Sequence, residues 1–298
     1  MKTSWPLAAA LFLISTPLFA QEWELGARYW LSDGDTKRSH SAQDLVPALG
    51  NPTSVLRFKG LRARIVELHA RKAFANDVYL RGNIGLGSIR GGNFADVDFL
   101  AGQVVDTETS SAVKGDKVRY FSIDAGHDFW AASDGRGALG AFAGYHYWRE
   151  RLDAFGARFI VPAGAAAIPE NVAVVSNDTT WKSIRVGVAG RMRLGAKTRL
   201  LAEFAYVPRS DLKDEDSHYL RSDLGPPPNI RLEGRGKGMQ FELELRHALL
   251  KDLELGAGYR YWRLRSTEGT REAAGLSLPL VEFKSQRSGL MLSLTKRW

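Results

Sequence analysis

The sequence predicts an all-β chain, a single-chain transmembrane antiparallel β-barrel of about ten strands with long extracellular loops. Three observations predict it. An N-terminal leader is followed by a chain with no second apolar run long enough to cross a bilayer as a helix. Apolar and polar side chains then alternate with a period of two along most of the remainder. The chain also ends on such a segment, with Leu290, Leu292, Leu294 and Trp298 on one parity.

The leader comes first. Lys2 precedes an apolar run from Trp5 to Leu18, broken by Pro6 and Pro17 and followed by the small residue Ala20 and the polar pair Gln21-Glu22. Residues 1–20 therefore read as a signal peptide, and 21–298 as one domain, the barrel. Removing Lys2 lowers the formal net charge from +8 to +7. The absence of cysteine excludes a disulfide framework. Lys and Arg are scattered along strand-like segments and do not cluster, which with export argues against a nucleic-acid partner.

Ten segments alternate, over approximately 22–33, 55–72, 77–91, 117–131, 137–152, 180–194, 197–209, 234–249, 252–266 and 282–298. The first is typical: Trp23, Leu25, Ala27, Tyr29 and Leu31 on one face, Glu22, Glu24, Gly26, Arg28 and Ser32 on the other. A soluble sandwich also alternates, but aromatic placement separates the two readings. Tyr29-Trp30, Tyr145-His146-Tyr147-Trp148 and Tyr259-Arg260-Tyr261-Trp262 close their segments, as in an interfacial girdle. Short links at 75–77, 132–135, 195–197 and 251–252 alternate with long ones at 34–54, 92–116, 153–179, 210–233 and 267–281. Short turns face the periplasm in such barrels, so both termini are expected there. Glycines 82, 85 and 87 read as small lumen-facing residues, and the histidines outside the motifs below lack metal-ligand spacing.

A barrel does not specify a function, so the site has to come from residues. Two acidic motifs stand out, Arg90-Gly91-Gly92-Asn93-Phe94-Ala95-Asp96-Val97-Asp98 after the third segment and Lys213-Asp214-Glu215-Asp216-Ser217-His218-Tyr219 after the seventh. Spaced by two, Asp96 with Asp98 and Asp216 with His218 project to one face of extended backbone. Both lie at the expected extracellular mouth, where strands three and seven can form opposite walls of one cleft. His218 is the natural general base, oriented by Asp216, and two close carboxylates can hold a water. Solvated loop carboxylates, or a Ca²⁺ site, are the bland alternative.

At these residues the chain resembles the omptins, outer-membrane proteases with ten-stranded barrels. Gly87-Ser88-Ile89-Arg90 through Asp98 looks like their aspartate-pair segment, and Asp214-Glu215-Asp216-Ser217-His218-Tyr219 like their Asp–His segment. Leu25-Gly26, Gly34-Asp35-Thr36-Lys37 and Gly144-Tyr145 extend the resemblance over nearly the whole mature chain. The resemblance implies an endopeptidase in which His218 and Asp216 activate a water positioned by Asp96 and Asp98, with no metal or organic cofactor. It implies polypeptide substrates, cationic ones included, held by acidic groups. Asp214 matches one such acid, whereas Arg38 stands where the family carries another; Arg38 would repel a basic side chain, and Asp35 is the nearest carboxylate to offset it. The resemblance further implies lipopolysaccharide as a lipid activator, with Arg149 and Arg235 at basic family positions. The terminal strand resembles the signal read by the barrel-assembly machinery.

A non-catalytic barrel, serving as adhesin, scaffold or narrow channel, is the second reading; alternating luminal Arg and Glu argue against a wide pore. A lipid-modifying barrel enzyme is the third, although such enzymes more often use a Ser-centred constellation near the membrane, and none paired with a His is found. The mature chain is expected in outer-membrane fractions, beginning at Gln21, with the heat-modifiable gel mobility of a barrel. N-terminal sequencing and semi-native electrophoresis check this, and a soluble periplasmic product would overturn it.

Overall fold

The computed structural model describes residues 23–298 except 115–116; the expected leader and its cleavage site lie outside the described residues. Extended backbone sends successive side chains to opposite faces, so each alternating segment can show an apolar row to lipid and a polar row to the lumen. Eleven strands form: β1 (Trp23–His40), β2 (Ser54–Ala73), β3 (Val78–Leu100), β4 (Val104–Val113), β5 (Lys117–Ala131), β6 (Gly137–Val161), β7 (Ile168–Arg193), β8 (Thr198–His218), β9 (Ile230–Ala248), β10 (Leu253–Ala273) and β11 (Leu276–Arg297). All pairings are antiparallel, and β1 pairs with β11 from Glu24↔Arg297 to His40↔Leu280, which closes the sheet. Closure matters because unpaired backbone polar groups are not tolerated in lipid. Trp23 N donates to Trp298 O at 2.9 Å, so both ends of the described chain meet at one end of the barrel.

At membrane height the wall has ten strands, and β4 is an addition above it. β5 takes Val78–Ser88 of β3 and the lower part of β6, while β4 takes Gly92–Leu100 of β3 and residues 154–161 of β6. The outward belt is apolar and exposed, with Leu25 and Leu31 on β1, Val66 and Leu68 on β2, and Leu290 and Leu292 on β11. Beyond it the outward face turns basic, at Arg62, Arg64, Arg119, Lys182, Lys237 and Arg265.

Three sequence expectations are corrected. Most of the residues assigned to long loops are strand, because β3 and β6 to β11 continue well past the belt; there the outer face meets water and the lipid-facing apolar row disappears. The girdle keeps only its tyrosines. Tyr29 and Tyr259 point outward, whereas Trp30, Trp148 and Trp262 have the opposite parity and are buried in the lumen. Gly85 and Gly87 are luminal as expected, but Gly82 lies on the outward face.

The lumen is filled, not open. At its centre Glu67 accepts from Arg28 Nη1 at 2.9 Å, Tyr120 Oη at 2.7 Å and Arg260 Nη1 at 2.7 Å. The Arg260 guanidinium lies over the rings of Trp262 and Trp30, at 4.9 and 5.1 Å from their centroids. Gly85 makes room for this node, since a Cβ there would collide with the Tyr120 ring. Toward the short-turn end, Asp124 binds Arg185 at 2.8 Å and Arg81 at 3.0 Å, and the cavity of about 300 Å³ that remains is lined by such paired charges. Toward the other end the filling becomes apolar, with Phe58, Leu61, Phe94, Trp181, Leu212 and Phe283 forming the floor of what lies above.

Glu67 and Arg260 are both 0% exposed, so Glu67→Gln, which leaves Arg260 with Glu242 and Arg28 with Glu242 and Glu244, removes one of their buried carboxylates and should cost about 3 kcal/mol. Asp211→Asn breaks a solvent-exposed pair with Arg209 and should cost under about 1 kcal/mol. Urea unfolding in lipid vesicles checks both; similar losses would mean that the luminal network is not what stabilises the barrel.

Candidate active site

Above the apolar floor a cleft of about 300 Å³ is lined by Arg38, His40, Asp96, Asp98, His218, Arg221 and Arg271, among others. Its chemistry begins where the inward rows stop being apolar. On β3 the row runs Phe94, Asp96, Asp98, and Phe94 packs on Phe58 of β2 with ring centroids 4.6 Å apart. On β8 it runs Leu212, Asp214, Asp216, His218, the first three buried. Both motifs therefore sit on strands and not on loops, and the ladders fix their height, Asp96 opposite Leu56 of β2 and Asp216 opposite Ile230 of β9.

The structure brings Asp96 and Asp98 on β3 and His218 on β8 to the walls of this cleft, with Asp216 buried beside His218. His218 Nε2 is 2.8 Å from Asp216 Oδ2. Asn229 clamps the His218 backbone, accepting from its N–H at 2.9 Å and donating to its carbonyl at 3.0 Å. Across the cleft, Thr107 on β4 donates to Asp98 at 3.0 Å. Burial and the adjacent Asp98 charge push Asp96 up to about 6, against the pull of His218 and Arg38. Asp216 moves the other way: burial would raise it, but Arg38 and His218 outweigh that and hold it below the usual carboxylate range.

Arg38 lines the cleft as expected, but not as an unpaired cation: it reaches from β1 to β8, donating through Nη1 to Asp214 at 2.8 Å and through Nη2 to Asp216. Asp214 also accepts from Asn177 Nδ2 at 2.8 Å and from Thr179 Oγ1 at 2.6 Å. Burial raises Asp214 to about 6 even against the pull of Arg38. Burial would lower the Arg38 guanidinium, yet Asp216 and Asp214 raise it above its ordinary value. Asp35 cannot offset Arg38, because it has the opposite parity and accepts instead from Gly60 N at 3.2 Å.

Several residues escaped the sequence reading. His40 and Arg271 are separated from the motifs by many residues and face the same cleft. Burial, with Arg271, Arg38 and His218 around it, pulls His40 down to about 3, so it is neutral. Asn177, Thr179 and Asn229 hold the acids and the histidine through side-chain hydrogen bonds, a role no local spacing announces. Arg149 and Arg235 both lie on the outer surface. Arg149 is held bidentately by Asp178 at 2.7 and 2.6 Å, while Arg235 is exposed, with Asp211 at 4.0 Å.

Asp96 should titrate near 6, protonated below and charged above. Asp98→Asn removes a like charge that penalises the ionised form, so the Asp96 midpoint should fall. Arg38→Gln removes a cation that favours it, so the midpoint should rise. Carboxyl carbon NMR of selectively labelled protein in micelles reads both shifts, and a midpoint unmoved by either change would show that the groups do not share one cleft.

No protein-family model matches the chain, and none of the curated proteins does. Among solved structures it is similar to the outer membrane protease OmpT from Escherichia coli, at 15% identity and a TM-score of 0.72, covering 95% of this chain and 100% of that one. The translocator domain of the autotransporter NalP from Neisseria meningitidis is similar at 10% identity and a TM-score of 0.40, covering 93% of this chain and 88% of that one. The attachment invasion locus protein Ail of Yersinia pestis follows at 9% and 0.33, covering 94% of this chain and all of that one. At such identity the likeness to OmpT is one of fold, and the chain has the architecture of a bacterial outer-membrane β-barrel.

Proposed function

We propose that this protein is an omptin-like outer-membrane endopeptidase whose cleft faces the cell exterior. The observation that carries the reading is the meeting of an Asp pair and an Asp–His pair on facing walls of one cleft, on a barrel whose architecture matches that of OmpT. With Nε2–H donated to Asp216, Nδ1 of His218 is the nitrogen left to accept a proton. A water held by Asp96 and Asp98 gives that proton to Nδ1 as its oxygen attacks the scissile carbonyl. The imidazolium, stabilised by Asp216, then returns the proton to the departing amide nitrogen. The apolar floor beneath closes the cleft toward the lumen.

Lipopolysaccharide is the proposed lipid activator. Arg235, exposed on the outer wall, is better placed for a lipid phosphate than Arg149, whose guanidinium is already occupied by Asp178. The C-terminal strand, with Leu290, Leu292, Leu294 and Trp298 facing outward, is proposed as the feature that the barrel-assembly machinery recognises. One observation favours the non-catalytic alternative, namely the ion pair of Arg38 with Asp216. It leaves the His218–Asp216 contact in place, however, so the base remains oriented.

Refolded protein incubated with a mixed peptide library in lipopolysaccharide-containing vesicles tests the reading. His218→Ala, Asp216→Asn, Asp96→Ala and Asp98→Ala should each lower cleavage about 10²–10⁴-fold while leaving heat-modifiable mobility intact. Because the residues act on one water, the His218 and Asp96 double change should be little worse than the poorer single. Wild-type rates in His218→Ala, or no cleavage by the unmodified protein, would leave a non-catalytic barrel as the better account.

A further inference from the structure

Two features of the cleft bear on which substrate it takes. Asp214, the acid that would receive a basic side chain, is saturated: Arg38, Asn177 and Thr179 all donate to it, and it is 0% exposed. A substrate cation would have to displace Arg38 from two carboxylates, and Arg38 is itself buried and fixed by its place in the β1 ladder opposite Leu56 and Phe283. The acid pocket is thus occupied by the protein's own arginine.

The second feature is Arg271. It lies on β10 opposite Leu232 and Leu278, both buried, so its guanidinium rises over an apolar ledge into the cleft. No hydrogen bond or ion pair to it occurs among the described residues, although carboxylates are abundant nearby. Arg221, the third cleft arginine, is already held bidentately by Asp223 at 2.8 and 2.6 Å. Burial and the Arg38 charge lower Arg271 to about 10, outweighing the pull of Asp216 and Asp96, neither of which reaches it as an ion pair. Asp96 and Asp98 sit on the opposite wall, where their work is the water, so an anion would seat on the Arg271 side.

We propose that the substrate side chain recognised beside the cleaved bond is a carboxylate, Asp or Glu of a polypeptide, with Arg271 as its partner and Arg38 as the residue that excludes a cation. This rests on the endopeptidase reading and reverses the basic preference that the sequence resemblance implies. Arg is suited to the task because its planar fork meets a carboxylate bidentately.

The test uses the full barrel in lipopolysaccharide-containing vesicles. Bonds cut in a mixed library are located by mass spectrometry, and the best peptide is remade with Glu, Gln or Lys at the recognised position. Glu should exceed Gln by about tenfold or more in kcat/KM, mostly through KM, as expected for one charge-assisted contact, and Lys should fall below Gln. Arg271→Gln should bring the Glu-to-Gln ratio close to one, and Arg271→Lys should restore part of it. Lys preferred over Gln, or a ratio unchanged in Arg271→Gln, overturns the inference with proteolysis intact. If nothing is cut, the protease reading fails separately, and fluorescence anisotropy decides the inference. Glu-peptide binding weakened about tenfold by Arg271→Gln upholds recognition of an anion, and equal binding of Glu and Gln peptides overturns it.

Discussion

The structure depends on the closure of the sheet through β1 and β11, and on what closure leaves inside. A ten-strand barrel encloses a lumen too narrow for bulk water and too polar-lined to stay empty. Glu67 answers this by gathering Arg28, Arg260 and Tyr120 around one carboxylate, with Trp30 and Trp262 packed against the Arg260 guanidinium. Buried ion pairs of this kind are demanding, since each charge needs its partner in place. Here they tie β1, β2, β5 and β10 together across the lumen, and the apolar layer above them carries the cleft.

That hierarchy explains how much was legible. Within the belt, lipid on one side and lumen on the other impose opposite demands, and the alternation of Leu25, Tyr29 and Leu31 with Glu24, Arg28 and Trp30 records them. Strand identity, short turns such as the one at Asn76 and Asp77, with φ of 64° and 60°, and the joined termini follow from that record. Past the belt the outer face meets water, the apolar row disappears, and Gly-, Ser- and Asp-rich segments read as loops. They stay extended because each neighbour continues the ladder, which is non-local information. The tryptophans were misjudged for a related reason: a Tyr-x-Tyr-Trp run places its last two residues on opposite faces.

The site divides in the same way. Asp96 with Asp98, and Asp216 with His218, are legible because spacing by two within a strand is local, and the resemblance supplied their pairing across the barrel. The partner of Arg38 was not legible, because Asp214 and Asp216 lie more than 170 residues away along the chain. Arg271 had no signal either. Its meaning comes from the contrast between an apolar ledge, a saturated Arg38–Asp214 pair and an Arg221 already engaged. Charge in this cleft is read from who is already paired, not from which residues line it.

The short strand β4 has a consequence of its own. It sits on top of β5, between β3 and β6, touching the Asp98 wall through Thr107 while making no part of the lipid-facing cylinder. Its hairpin lies above the ten-strand wall, so its length and composition do not enter the girth of the barrel. The rim beside the aspartates is in that sense a detachable module, a place where selection can reshape what enters the cleft while the membrane anchor stays the same.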